Sequence, residues 1–153
     1  MAAQPHKVSI VFILICCILE SIAIVIAVYS LHSDCVLGGE IAIYIFFFFL
    51  LIPSAWLLDA ILLLCLFFMK NLGVDPMTIV FNFIIAIMCF ISGAVMFLIL
   101  TTLCGNKTQF FLLLAGLLCI ISAIVHLIHG IYGHKHLPMS EKCWNKRQTK
   151  LKK

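Results

Sequence analysis

Four long apolar runs divide this sequence, and no water-soluble fold accommodates them. Crossing a bilayer takes about 20 residues of helix, because each residue advances the helix by about 1.5 Å. Every run reaches that length. The first also carries Glu20 and is too long for the h-region of a signal peptide, so we expect it to be retained. The predicted spans are residues 8–30, 41–69, 77–103 and 110–132.

The composition leads to the same fold class. Hydrophobic residues make up 65% of the chain, charged residues make up 10%, and the mean hydropathy is +1.25. Soluble domains have about 45–50% apolar and about 25% charged residues, so this chain has too little polar surface to cover a globule in water. The runs also lack the period-two alternation of a membrane β-barrel. We therefore expect an all-α membrane protein, an antiparallel bundle of four transmembrane helices.

Positive charge is concentrated after the last run. Residues 134–153 carry seven Lys or Arg side chains and one acid, Glu141. Cytoplasmic segments of membrane proteins are enriched in Lys and Arg, so this tail and, with four crossings, residues 1–7 are both expected in the cytoplasm, with residues 8–133 forming the bundle. The tail is expected to bind anionic lipids of the inner leaflet. Charge confined to one tail does not indicate nucleic-acid binding.

This orientation suggests candidate modification sites outside the spans. Cys35 and Cys104 fall on the outer side, where an oxidising compartment permits a disulfide between them; two free thiols are the alternative. Cys143 lies in the basic tail and is a candidate for S-palmitoylation, with an unmodified thiol as the alternative. Asn106 begins an N-glycosylation acceptor pattern, although its position next to the membrane favours an unmodified turn.

Small and polar residues recur in the runs at alternating steps of three and four. This spacing places them on one face of each helix, and in a membrane that face normally contacts another helix. By helix rise, the ionisable members fall in the cytoplasmic half of the membrane, and each would cost at least about 2.5 kcal/mol if it faced lipid. They form a predicted intramembrane polar cluster. Its members are Glu20, Asp59, Asn82, His126 and His129.

Partners within this cluster follow from depth. Asp59 is expected to pair with His126 or His129, which lie at similar depth. Glu20 has no cation at its own depth and is expected to stay neutral, because loss of water disfavours the ionised acid. Two interpretations of the cluster remain open: hydrogen bonds that hold the helices together, or a path for protons or ions. The spacing of the two histidines also suits a metal, but no Cys or carboxylate beside them in the sequence completes a site, so no metal is predicted.

Enzymatic activity is not predicted either. The connections between runs are short, leaving no room for a water-exposed catalytic domain. The sequence contains no Gly-rich phosphate loop, nucleophile elbow or HExxH pattern. We therefore expect no cofactor.

Two stretches resemble a known family. Gly39 and Glu40 precede the aromatic run 46–50, and Pro76 precedes Asn82 by six residues. Residues 116–134 combine small side chains with a tyrosine before a basic end. These features are similar to MARVEL-domain proteins, particularly the chemokine-like factor branch. The resemblance implies a non-enzymatic four-span protein with cytoplasmic ends that acts in vesicle trafficking, organises membrane subdomains or stabilises other membrane proteins; some members are linked to cytokine-like signalling.

The sequence therefore leaves three candidate functions open. The first is a scaffold or trafficking adaptor whose helix faces bind other membrane proteins within the bilayer. The second is a small proton or ion conductor, or an auxiliary subunit of a channel or transporter, that uses the acid and histidine side chains. The third is cytokine-like signalling. The expected location is the plasma membrane or an endomembrane.

Overall fold

The computed structural model describes residues 5–30, 42–68, 76–103 and 107–137. Within these ranges the chain forms four helices and no strand. All four are long and apolar enough to cross a membrane, which confirms the all-α class and the number of spans and indicates an integral multi-pass membrane protein. The helices are α1 (Pro5–Ser30), α2 (Ala42–Phe68), α3 (Pro76–Leu103) and α4 (Lys107–His136).

The helices extend beyond several of the predicted spans. α1 and α3 each begin at a proline, a residue suited to the first helical position because the N–H it lacks would have no partner there. α4 continues past Tyr132 to His136, and His136 Nδ1 lies 2.9 Å from the Tyr132 carbonyl oxygen in the last turn. Apolar length therefore predicts the membrane-crossing part of each helix but not its polar ends.

Each helix packs mainly against two neighbours. α4 packs against α1 and α3, and α2 packs against the same two helices from the other side. The start of α1 reaches the end of α2, where His6 Nε2 lies 2.9 Å from the Leu66 carbonyl oxygen. The end of α1 reaches the start of α4, where the rings of Tyr29 and Phe111 are 5.9 Å apart.

The backbones of α3 and α4 approach each other closely at two glycines. A Cβ atom added at Gly93 would lie 2.8 Å from the Gly116 carbonyl oxygen, and one added at Gly116 would lie 3.3 Å from the Gly93 carbonyl oxygen. Backbones approach this closely in membranes where small residues face each other. The pair therefore sets the α3–α4 distance next to the polar cluster.

The predicted small and polar face is buried in all four helices. Large apolar side chains cover the outside, with Phe68, Val25 and Phe46 each more than 60% exposed, as expected of surfaces that contact lipid. The buried members of the face are Cys16, Glu20, Ala23, Ala27, Ser30, Ala55, Asp59, Asn82, Ala86, Cys89, Gly93, Ala115, Cys119, Ser122, His126, His129 and Gly133.

The candidate modification sites lie elsewhere. Cys35, Cys104, Asn106 and Cys143 are outside the described residues. The disulfide, the glycan and the palmitoyl group remain predictions.

Candidate functional site: a buried polar cluster

The five predicted cluster residues come together inside the bundle. Glu20 is supplied by α1, Asp59 by α2, Asn82 by α3, and the two histidines by α4, and none is more than 2% exposed. The cluster thus joins all four helices through polar side chains. A polar group in this position must find partners inside the protein, because the surrounding lipid offers none.

Asn82 connects the two histidines. Its Nδ2 donates to the Thr78 carbonyl oxygen at 2.8 Å, and because that oxygen can only accept, the orientation of the amide is defined. Asn82 Oδ1 then faces the ring nitrogens, 3.0 Å from His126 Nδ1 and 3.0 Å from His129 Nδ1. An amide oxygen only accepts, so both Nδ1 atoms carry hydrogen.

His129 continues the network toward the start of α1. Its Nε2 lies 3.0 Å from Ser9 Oγ. With hydrogen on Nδ1, the neutral ring accepts from the Ser9 hydroxyl. The ring also stacks on Phe12, with centroids 5.4 Å apart. These contacts hold His129 away from the carboxylates, so the structure does not make it a partner of Asp59.

His126 lies between both acids. Its Nε2 is 3.1 Å from Asp59 Oδ2 and 3.4 Å from Glu20 Oε1. The predicted pairing of Asp59 is therefore confirmed for His126. The expectation that no potential cation lies at the depth of Glu20 is wrong, because His126 Nε2 lies within ion-pair distance of it. The neutral state of Glu20 stays a prediction.

The reason for this error is side-chain direction. Every Cα–Cβ bond in an α-helix tilts toward the helix N-terminus. Phe12 contacts Tyr132 and Tyr29 contacts Phe111, so the side chains of α1 and α4 lean toward each other along the bundle. The side chains of Glu20 and His126 therefore meet, although the depths calculated for their Cα atoms from helix rise are different. Depth counted from Cα atoms missed this convergence.

The carboxylates are incompletely satisfied. Glu20 Oε1 accepts from Ser122 Oγ at 3.0 Å and from Cys89 Sγ at 3.3 Å. Glu20 Oε2 and both oxygens of Asp59 have no hydrogen-bond partner. Asp59 is thus within ion-pair distance of His126 without hydrogen-bond geometry. An unsatisfied buried oxygen costs about 1–3 kcal/mol and more when charged.

Sequence reasoning missed several partners. Ser9 was not predicted, although Ser9, Ile13 and Cys16 extend the alternating series of α1 back by two steps. Thr78 takes part through its backbone carbonyl, which no side-chain pattern reveals. Cys16 belongs to the predicted face, but only the structure places it beside Asp59 and His126.

No family model, no curated protein and no solved structure matches the chain.

Proposed function

We propose that this chain is a non-enzymatic multi-pass membrane protein that acts as a scaffold, trafficking adaptor or stabilising partner of other membrane proteins, as MARVEL-like proteins do. Its helices form an antiparallel bundle, which the His6–Leu66 and Tyr29–Phe111 contacts support. The basic tail supports cytoplasmic termini.

The observation that carries this proposal is an apolar groove between α3 and α4. Ala86 and Ala123 form its floor, and the rings of Phe83 and Phe90 belong to its walls. Small floor residues between larger side chains are what a neighbouring transmembrane helix needs for close packing. The polar groups are used inside the bundle, so the outer surface is left for apolar contacts.

We expect a partner helix in this groove. A photo-crosslinking residue at Ile87, which lines the groove and is 59% exposed, should give discrete protein adducts in native membranes. The same residue at Val25, 66% exposed on α1, is the matched control and should label lipid. Ile124→Trp should fill the groove and reduce recovery of those adduct proteins in mild detergent about tenfold, the effect of losing about 1.4 kcal/mol. Val25→Trp should not.

Two results would contradict the adaptor. One is lipid labelling alone at both positions. The other is equal recovery of the adduct proteins with both tryptophan variants, which would place their binding elsewhere.

A conductor is the second candidate, because Ser9, His129, Asn82, His126 and Glu20 form a continuous polar chain. Past Glu20 that chain reaches Ser122 and Cys89, which both donate to Glu20 Oε1. Beyond this group, the buried residues whose side chains the structure describes are apolar apart from Ser30 and Ser92. A transmembrane path needs polar groups or water along its whole length.

We therefore expect no proton flux above background from the purified chain in liposomes. A pH-sensitive dye inside the liposomes measures it, with protein-free liposomes as the reference. Flux that Asp59→Asn abolishes would favour the conductor over the adaptor.

A further inference from the structure

We propose that Cys16, Asp59 and His126 form a buried binding site for a divalent transition-metal ion of the zinc class. The site joins α1, α2 and α4 at the centre of the polar cluster. It is independent of the adaptor function, since none of its three residues lines the groove.

The three side chains are close enough to share one ion. One ligand atom from each lies within 4.8 Å of the others, and all three residues are buried. A zinc ion holds His nitrogen and carboxylate oxygen at about 2.0–2.2 Å and sulfur at about 2.3 Å. Tetrahedral geometry at those lengths separates the ligand atoms by about 3.4–3.6 Å. The observed 3.1 Å between His126 Nε2 and Asp59 Oδ2 is near that spacing.

The hydrogen bonds around His126 prepare its Nε2 to bind metal. Thr78 orients the Asn82 amide, and Asn82 Oδ1 accepts from His126 Nδ1. In the neutral ring the lone pair is therefore on Nε2, the atom that faces the acids. Metal-binding histidines characteristically donate their other N–H to a carbonyl or carboxylate in this way, which defines the tautomer.

Unpartnered oxygens provide an independent reason for a cation. Both oxygens of Asp59 and Oε2 of Glu20 are buried without a hydrogen-bond partner. The Nε2 lone pair of a neutral His126 would face Asp59 Oδ2 and Glu20 Oε1 with no hydrogen between them. A metal ion between His126 Nε2 and Asp59 gives the Asp59 carboxylate a partner, and Glu20 Oε1, 3.4 Å from the same nitrogen, places a further oxygen beside it.

Charge and ligand type select the ion. A divalent ion balances the Cys16 thiolate and the Asp59 carboxylate, and the neutral imidazole adds no charge, so these ligands and the ion carry no net charge in an apolar interior. Binding displaces the thiol proton of Cys16 to solvent. A thiolate and an imidazole suit zinc and neighbouring transition metals, whereas magnesium and calcium prefer oxygen ligands alone.

Cobalt reports on the sulfur ligand directly. The full chain is produced in medium supplemented with Zn²⁺ or Co²⁺, because a buried site is best filled as the protein folds, and is purified in mild detergent without a histidine tag. We expect about one metal per chain by elemental analysis and a thiolate-to-cobalt charge-transfer band. Cys16→Ser should abolish the band and weaken metal affinity by at least about 100-fold, the upper range seen for losing only a supporting residue. Asp59→Asn should also lower the metal content.

Cys17→Ser is the matched control. Cys17 is adjacent to Cys16 in the chain, but it lines a separate groove between α1 and α2. This variant should keep both the metal and the band. Circular dichroism of each variant shows that the helices are retained, and Cys16→Ser is close enough in size to fold. The proposal is overturned if the wild-type chain holds no metal, if the bound metal gives no thiolate band, or if the band survives Cys16→Ser.

Discussion

Replacing His126 by leucine should lower the free energy of unfolding by about 3–5 kcal/mol in chelator-treated protein, the loss typical of removing one member of a buried ionic group. The substitution leaves Asp59 and Glu20 in the bundle without the imidazole that lies within 3.4 Å of both. It also removes one of the two donors to Asn82 Oδ1, the other being His129. Thermal unfolding in detergent, followed by circular dichroism, measures the effect.

Two further variants separate charge from packing. Replacing both acids together with the histidine, in a Glu20→Gln, Asp59→Asn, His126→Leu variant, should recover much of the loss, because no charge is then left unpaired. Ser92→Ala is the control for a buried polar group without a hydrogen bond and should leave stability unchanged or raise it, because it removes an unsatisfied hydroxyl. Equal losses in the single and triple variants would show that His126 contributes by packing and not by pairing with the acids.

Gly93→Ala should destabilise the bundle by about 3 kcal/mol, at the upper end of the usual loss for overpacking. The added methyl group would lie 2.6 Å from Ile120 Cγ1 and 2.8 Å from the Gly116 carbonyl oxygen. The isoleucine side chain can rotate, but the carbonyl belongs to the backbone of α4. The two helices must therefore move apart, which also disturbs the polar contacts between them.

Gly130→Ala is the matched control for this helix pair. Its added methyl group meets only the ring of Phe83, at 3.3 Å, and a side chain at the edge of the groove can shift. We expect less than about 1 kcal/mol of loss there, measured in the same unfolding experiment. Similar losses of stability at both glycines would mean that the close α3–α4 backbone contact at Gly93 is not the cause of the destabilisation.

The candidate site was only partly predictable. The sequence identifies all five members, because ionisable and amide groups in apolar helices must face inward. They are Glu20, Asp59, Asn82, His126 and His129. Their hydrogen-bond partners could not be predicted from the sequence. The role of Asn82 as acceptor for two histidines depends on the carbonyl of Thr78, and backbone carbonyls leave no trace in a residue pattern.

For Cys16 too, the sequence predicts the helix face but not the neighbouring side chains. Its spacing correctly placed it on the inner face of α1, where packing is the ordinary role of a thiol. Its proximity to Asp59 and His126 depends on three helices from distant parts of the chain. Because Cys16 and Asp59 are far from His126 in the sequence, the sequence alone predicts no metal site there.

Sequence alone determined the number of helices, their apolar outer surfaces and the identity of the buried face. Helix rise relates residue number to membrane thickness, and a step of three or four residues defines one side of a helix. The tertiary structure decided which buried groups touch, including the Glu20–His126 contact and the glycine contact between α3 and α4. Those contacts depend on the rotation and relative height of the helices and on the tilt of the side chains. Each must be correct to within about the length of one hydrogen bond, and a periodic residue pattern does not specify positions with that precision.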